Sequence, residues 1–238
     1  MQLFYAPNFT TPQYTLSEEE SKHCVRVLRL IEGDTLHITD GRGNLFCCRI
    51  DEAHPKRCRV SVVDHKSDYD RLPYHLVIGI APTKNSDRYE WFLEKATEIG
   101  IGEIYPLLST HSERKVTKIE REMRVITAAM KQSLKAYHPT LHPLTPLSEV
   151  IKMEFEGDRF IAHCADSVSE QGRQPLPSLL RKGVATLILI GPEGDFSPEE
   201  VKMAIEAGFR EISLGTQRLR TETAAVVATT AVAIKNME

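Results

Sequence analysis

Cysteine is scarce in this sequence, and its spacing excludes two kinds of site. The five cysteines are an odd number and include no Cys-x-x-Cys pair. Disulfide frameworks and structural zinc sites are built from paired cysteines at short spacings, so neither is expected. We therefore expect free thiols, no metal site and a reducing, cytoplasmic environment.

Long apolar runs and a strong net charge are also missing. The weakly polar stretch from Thr223 to Ile234 is too short to span a membrane. The first residues do not place a basic segment before an apolar one, so we expect no signal peptide. The net charge of −3 does not by itself indicate a nucleic-acid partner, whereas 41% hydrophobic residues in 238 suffice for one large or two modest domains.

Two strand–loop–helix segments near the end of the chain are its most informative feature. In the first, the uncharged run 187–190 leads into a loop with Gly191 and Gly194, and Ser197 and Glu200 form a capping box for a helix. In the second, residues 212–224, a strand again ends at a glycine before a helix begins. Two such loops at the carboxyl ends of neighbouring parallel strands predict a ligand crevice, with the glycines permitting close approach of the ligand.

The residues of these loops resemble the paired signature of the RsmE family of methyltransferases, in the SPOUT superfamily. Residues 191–197 read Gly-Pro-Glu-Gly-Asp-Phe-Ser, with Asp195 where the family usually has glycine. Residues 214–224 read Leu-Gly-Thr-Gln-Arg-Leu-Arg-Thr-Glu-Thr-Ala. The resemblance implies an α/β fold, in which a SPOUT-type trefoil-knot methyltransferase domain over residues 71–238 follows a small PUA-like β-barrel domain over residues 1–70.

The first 70 residues independently indicate a small β-rich domain. Ser17 predicts a helix start, and residues 35–39, 45–50 and 57–63 read as strands. The series from His23 to Asp34 is similar to the amino-terminal signature of the same family, whose first domain is implicated in RNA recognition. Without the resemblance, Arg26 and Arg29 are better explained as charged side chains on a helix surface exposed to water than as RNA contacts.

Strands alternating with helices after residue 73 predict βαβ units and a parallel sheet. Residues 76–81 and 104–108 read as strands, and a helix between them is expected to begin at Asp87 and to place Trp91, Phe92, Ala96 and Ile99 on its apolar side. A longer helix is predicted from about Thr117 to Ala136, with one apolar stripe. Its opposite face carries basic residues that favour an RNA phosphate contact over a plain solvated face, namely Arg121, Arg124, Lys131 and Lys135.

The resemblance implies a homodimer in the cytoplasm, without membrane association, that uses S-adenosylmethionine to methylate N3 of a uridine in 16S ribosomal RNA of the small subunit. Arg220 and Glu222 are the predicted catalytic residues, and Arg26, Arg29, Arg114, Arg121, Arg124 and Lys131 the predicted RNA contacts. The predicted cofactor site contains His163, Ile190, Gly191, Pro192, Glu193, Gly194, Leu214, Gly215, Leu219 and Thr223.

Two other functions remain open from the residues alone. The chain could be a non-catalytic RNA-binding or ribosome-associated protein with a degenerate pocket. It could also be an α/β enzyme that holds an anionic small molecule at the Ser197 helix start. Four acidic residues crowd that helix start and would repel a phosphate, so the last alternative is the weakest. These are Glu193, Asp195, Glu199 and Glu200.

Overall fold

The computed structural model describes residues 2–164 and 172–237. By its internal contacts the chain divides into two compact units, Met1–Arg71 with Thr127–His138, and Leu72–Ile126 with Pro139–Glu238. Residues 127–138, which the sequence-based boundary assigns to the second domain, thus group with the first unit. Hydrogen bonds explain this grouping, because the Ala136 carbonyl accepts from Thr39 Oγ1 at 3.1 Å and from the Gly43 N–H at 2.9 Å.

The first unit is built on a mainly antiparallel sheet with strand order β1-β3-β4-β5-β2. Gly41 and Gly43, in the loop between the antiparallel strands β3 and β4, have φ of 78° and 93°, a region that favours glycine. Ser17 caps the first helix as expected, and a π-helical turn, His23–Val27, follows it. The remaining elements are β1 Leu3–Tyr5, β2 Gln13–Thr15, α1 Glu18–Lys22, β3 Thr35–Thr39, β4 Leu45–Glu52 and β5 Arg59–Lys66.

The second unit is an α/β domain whose parallel sheet has the order β11-β13-β10-β12-β6-β7-β8, with β9 also paired to β7. Alternate strand residues pack on helices at opposite faces, so both faces are covered. The elements are β6 Leu76–Ile80, α2 Ser86–Ile99, β7 Glu103–Leu108, β8 Thr140–Leu141, β9 Thr145–Pro146, α4 Leu147–Lys152, β10 Asp158–Ala162, β11 Gln174–Pro175, α5 Leu176–Leu179, β12 Thr186–Ile190, α6 Pro198–Glu206, β13 Arg210–Ser213 and α7 Thr221–Met237. Helix α3, Ile119–Gln132, belongs to this unit up to residue 126, and its residues 127–132 group with the first unit.

Sheet order contradicts one expectation from the sequence. The two strands that end in glycine loops, β12 and β13, are not neighbours, because β10 lies between them and pairs with both. The chain therefore skips a position between β12 and β13, a path that consecutive strands take in a minority of cases. None of the helices in the described ranges has the length and apolar character needed to cross a membrane.

Helix α2 also differs from its prediction at both its start and its apolar side. Asn85, not Asp87, is the N-cap, and its side chain accepts from the Asp87 N–H at 2.8 Å. The helix buries Phe92 and Ala96 as expected, but Trp91 is 43% exposed. The buried positions of the helix, 89, 92, 93, 96 and 97, follow the helical repeat, and Trp91 lies outside that stripe.

The predicted basic face of the long helix is partly neutralised. Arg121 is paired with Glu90, with Nε 2.7 Å from Oε1. Within the first unit, Lys131 Nζ lies 2.6 Å from Glu20 Oε1, and this lysine is three-quarters buried. Arg124 donates to the Glu120 carbonyl of its own helix. Charged side chains satisfied in this way give weaker support for an RNA contact than the sequence pattern suggested.

Helix α3 also contains a buried carboxylate, Glu122, and this carries a pH prediction. One oxygen accepts the Lys118 N–H at 3.0 Å, and the other has no hydrogen-bond partner among the described residues. Burial raises the pKa of Glu122. The folded state therefore holds the proton more tightly than the unfolded state, and this contribution to stability is lost as pH rises through the folded pKa.

We expect Glu122→Gln to be more stable than the wild type at neutral pH, because the amide carries no charge to bury. The gain should shrink towards acid, where Glu122 is itself protonated. Urea denaturation of both proteins at about pH 8 and about pH 5 measures the difference. An equal stability difference at the two pH values would show that burial of the charge is not the cause.

Candidate functional site

The ends of three parallel strands meet at one edge of the sheet in the second unit. Ala162 at the end of β10 is level with Ile190 of β12 on one side and Ile212 of β13 on the other. The carboxyl edge of such a sheet, where loops leave towards opposite faces, is the usual ligand position in α/β proteins. The central strand β10 brings His163 to this edge, between the two glycine loops.

A cavity of about 530 Å³ lies at this edge, within the range of about 300–1,000 Å³ that is typical of small-molecule sites. Three segments enclose it: the end of β10, the loop after β12, and the loop between β13 and α7. Both polar and apolar atoms form its walls. The lining residues include Arg88, Ala162, His163, Cys164, Arg173, Ile190, Gly191, Pro192, Glu193, Gly194, Asp195, Leu214, Gly215, Gln217, Arg218, Leu219, Arg220 and Glu222.

The first glycine loop is packed tightly against the protein itself. A Cβ on Gly191 would lie 3.2 Å from atoms of Phe196, and one on Gly194 would lie 3.1 Å from the Cβ of His111. Phe196 is 2% exposed and anchors the loop in the hydrophobic core beneath it. The need for glycine at these two positions is therefore explained by close packing of protein atoms, whereas the sequence suggested close approach of a ligand.

Asp195 holds this loop in place through its side chain. Its φ is 64°, a left-handed conformation that glycine adopts more easily. One carboxylate oxygen accepts the Cys164 N–H at 2.7 Å and the other the Phe196 N–H at 2.8 Å. The Asp195 carbonyl also lies 3.0 Å from His111 Nδ1. The aspartate thus ties the loop after β12 to the end of β10, which a glycine in this position could not do.

The other acidic residues of the loop are engaged with backbone amides as well. Glu193 accepts from the Lys84 N–H at 3.0 Å. Glu200 accepts from the N–H groups of Thr110 at 2.7 Å and Ser197 at 2.8 Å, and so completes the predicted capping box. These carboxylates occupy donors that an anionic ligand would otherwise use. The start of α6 is therefore poorly suited to bind a phosphate.

The second glycine loop carries the predicted catalytic pair. Gly215 has φ of 128°, and no atom lies within 4 Å of the position where a Cβ would be, so conformation alone favours glycine. Arg220 is exposed at the cavity wall. Glu222, in the first turn of α7, is only 6% exposed, and its nearest cation is Arg88, whose Nε lies 3.9 Å from Oε1.

A buried histidine–glutamate pair forms part of the wall. His163 Nε2 lies 2.9 Å from Glu211 Oε1, and both side chains are fully inaccessible to solvent. The other ring nitrogen, His163 Nδ1, is buried without a hydrogen-bond partner in the described part of the chain. A buried polar atom without a partner is costly, so the Nδ1 of His163 is a destabilising feature at the end of β10.

The structure brings together nearly all residues that the sequence placed around the cofactor. Thr223 is the exception, because it lines an adjoining depression on the outer side of the α7 start. The sequence did not indicate Arg88 and Arg173 as cavity residues. Arg88 could have been found, since it lies in the first turn of the helix that follows β6.

The predicted RNA contacts lie outside the cavity. Arg26 and Arg29 are exposed in the first unit, and Arg114 is half-buried in the second.

Comparison with known proteins gives concordant matches over both units. Residues 70–233 match a family model described as an RNA methyltransferase domain, and residues 16–63 match an RNA methyltransferase PUA domain. Ribosomal RNA small subunit methyltransferase E of Bacillus subtilis is 27% identical over 231 residues, which cover 93% of this chain and 90% of the relative.

Two solved structures are similar over the whole chain. A probable rRNA-methyltransferase from Porphyromonas gingivalis is 44% identical, with a TM-score of 0.92 over 100% of this chain and 99% of the other. Ribosomal RNA small subunit methyltransferase E from Neisseria gonorrhoeae, bound to S-adenosyl methionine, is 25% identical, with a TM-score of 0.84 over 97% and 96%.

The fold and the cavity, taken with these matches, define the class of the protein as an α/β methyltransferase with an attached PUA domain. The matched methyltransferase region covers more than two thirds of the sequence. The chain belongs to this RNA methyltransferase family, and the resemblance to RsmE read from residues 191–197 and 214–224 is confirmed.

Proposed function

We propose that this protein transfers a methyl group from S-adenosylmethionine to N3 of a uridine in the 16S ribosomal RNA of the small subunit. The observation that carries the proposal is the cavity at the ends of β10, β12 and β13, with Arg220 and Glu222 in its wall. Relatives named ribosomal RNA small subunit methyltransferase E support the substrate class. The choice of uridine N3 rests on the family resemblance and on the chemistry of the site.

The residues around the cavity fit S-adenosylmethionine. Its volume of about 530 Å³ is suited to a ligand of this size. Ile190, Leu214 and Leu219 offer apolar surface for the adenine, and Gly191, Gly194 and Gly215 leave the backbone groups of the two loops accessible for polar contacts. S-adenosylmethionine supplies a methyl group on a positively charged sulfur, which makes that methyl susceptible to attack by a nitrogen.

Arg220 is the residue we propose to activate the uridine. N3 carries a proton and lies between two carbonyl groups, so it becomes a nucleophile when the proton leaves and charge spreads onto the carbonyl oxygens. An exposed guanidinium beside the cavity can donate two hydrogen bonds to the negative charge that develops on one of those oxygens, which leaves N3 open to the methyl group. The base must be unpaired or extruded to reach the site, since N3 is buried within a base pair.

Glu222 lies two residues after Arg220 and is the second residue we propose for the chemistry. Its carboxylate is buried and lies 3.9 Å from the Arg88 guanidinium. In this position Glu222 can orient Arg220 or accept the proton that leaves N3. A carboxylate in the first turn of α7 is also favoured by the helix dipole, so part of its role is structural.

Replacement of Asp195 by glycine, the usual family residue, provides a test of the loop. Glycine relieves the left-handed conformation but loses the hydrogen bonds to Cys164 and Phe196. We expect stability within about 1 kcal/mol of the wild type, because the two effects oppose each other. Affinity for S-adenosylmethionine should fall about 3- to 30-fold, because the wall formed by Cys164 is no longer held.

Calorimetry with S-adenosylmethionine measures that affinity, and Asp195→Asn is the matched control. Asparagine tolerates positive φ and keeps one oxygen that can accept an N–H. We therefore expect Asp195→Asn to bind more tightly than Asp195→Gly. Equal affinity of all three proteins would mean that the aspartate has no part in shaping the site.

The direct test of function is a methylation assay with purified small subunits and with free 16S ribosomal RNA. We expect transfer of labelled methyl from S-adenosylmethionine and a single product, N3-methyluridine, on mass spectrometry of the nucleosides. Methyl on ribose or on another base would overturn the assignment of N3. RNA binding without transfer, and without affinity for S-adenosylmethionine, would favour the non-catalytic alternative.

The proposal includes a homodimer that acts in the cytoplasm, with the trefoil knot that the resemblance implies. The alanine-rich helix α7 would allow close approach of a second copy, but its Ala225, Ala228 and Val232 are buried against the sheet of the same chain. Ile234 remains 54% exposed and is available to a second copy. Sedimentation at micromolar concentration tests the assembly, and a fully active monomer would exclude it.

A further inference from the structure

A second depression adjoins the cofactor cavity on the outer side of the α7 start. Its volume is about 610 Å³, and it shares Arg88, Arg218, Leu219, Arg220 and Glu222 with the cavity. The first turns of α2 form its other wall, where Trp91 lies. The two spaces therefore adjoin at the residues proposed to act on the uridine.

Trp91 is the unexpected residue in this depression. It is the only tryptophan of the sequence and is 43% exposed, whereas its neighbours Phe92 and Leu93 are completely buried. The core contact of α2 is made by those neighbours and does not need the indole. A large aromatic side chain left at the rim of a cavity is a frequent mark of a binding surface.

The charges around Trp91 indicate which ligand suits it. Arg88, Arg218 and Arg220 line the depression. Of its two acidic residues, Asp87 lies 3.5 Å from Arg121, and Glu222 is buried beside Arg88. An aromatic face surrounded by arginines is the combination that binds single-stranded nucleic acid, because bases stack on the ring and phosphates pair with guanidinium groups.

We propose that this depression holds the nucleotide next to the methylated uridine, with its base stacked on Trp91 and its phosphate contacted by Arg88 and Arg218. The target base itself has to enter the cavity beside Arg220. A nucleotide attached to it then lies over the shared rim formed by Arg218 and Leu219, where the depression begins. This assignment rests on the proposed function. It adds that the protein recognises unpaired RNA, because only an unpaired base can stack on Trp91.

Because Trp91 is the sole tryptophan, its fluorescence reports on the depression in the unmodified protein. We expect a single-stranded oligoribonucleotide containing uridine to quench the emission, because a stacked base contacts the indole directly. The same sequence as a duplex should quench little at equal concentration. Binding of the single strand without any change in Trp91 emission would overturn the proposal.

Substitution of Trp91 tests whether the stacking contributes to binding. Trp91→Ala should raise the Kd and KM for RNA about 5- to 150-fold, the range that loss of one stacked base implies, with unchanged affinity for S-adenosylmethionine. Trp91→Phe should retain most of the RNA affinity. Met203→Ala is a matched control, since Met203 is an exposed apolar residue on another helix, 37% accessible, and this variant should behave as the wild type.

These measurements separate failure of this inference from failure of the proposed function. Methylation by the wild type with an unchanged KM for Trp91→Ala overturns the inference and leaves the function standing. Absence of methylation by the wild type refutes the function, and the assignment of the neighbouring nucleotide falls with it. If Trp91→Ala instead abolishes self-association and leaves RNA binding intact, the surface is an interface between copies and the proposal is wrong.

Discussion

Arg220→Ala is expected to lower the rate of methyl transfer about 100- to 1,000-fold, the cost of losing one donor to a developing negative charge. The side chain is exposed and supports no core packing, so the protein should remain folded. Affinity for S-adenosylmethionine should change little, because the walls of the cavity on the β10 and β12 sides are untouched. Single-turnover methylation with saturating RNA and cofactor measures the rate without the contribution of binding.

Arg220→Lys is the matched control for this experiment. Lysine retains the positive charge but cannot donate two parallel hydrogen bonds from a planar group. If geometry matters, this variant should recover only part of the lost rate, and if charge alone matters, it should recover most of it. An alanine variant that methylates as fast as the wild type would remove Arg220 from the chemistry.

Phe196→Ala is expected to have the largest effect on stability, a loss of about 3–5 kcal/mol, because it removes a buried aromatic ring. The ring is 2% exposed and fills the space between the first glycine loop and the core formed with α4 and α6. Without it, Gly191 loses the group against which its backbone is packed. Affinity for S-adenosylmethionine should therefore fall as well, at a temperature where the variant is still folded.

Phe209→Ala separates the two effects of the Phe196 substitution. Phe209 belongs to the same hydrophobic cluster and is 3% exposed, but it does not line the cavity. The loss of stability, measured by urea denaturation, should be similar, whereas cofactor affinity should be kept. If both variants lose affinity equally, then general destabilisation, and not the position of the loop, explains the result.

Local chemistry made parts of this fold predictable. Ser197, Pro198 and Glu200 specify a helix start within four residues, and the structure has the capping box at that place. The uncharged run 187–190 lies in a strand that is buried along its full length. Gly100 follows α2 directly with φ of 129°, a helix end that glycine favours. In each case a few adjacent residues fix the backbone, so no information from distant parts of the chain is needed.

The remaining features depend on contacts between distant residues. The position of β10 between β12 and β13 depends on the order of the strands in the sheet. The periodicity of hydrophobic residues predicts where strands lie in the sequence, but it does not predict that order. The pairing of Lys131 with Glu20 joins residues more than one hundred positions apart. The role of Asp195 could not be inferred either, because one of its partner amides belongs to Cys164, which lies just beyond the end of β10.

The carboxylates that fasten the first glycine loop also bear on competition among cellular nucleotides. Glu193, Asp195 and Glu200 already accept from amides of Lys84, Cys164, Phe196, Thr110 and Ser197. Adenosine triphosphate shares its adenosine portion with S-adenosylmethionine but would bring several negative charges close to this acidic loop. The amides of the loop are already engaged with these carboxylates, so they cannot bind phosphates as the glycine loops of nucleotide-binding proteins do.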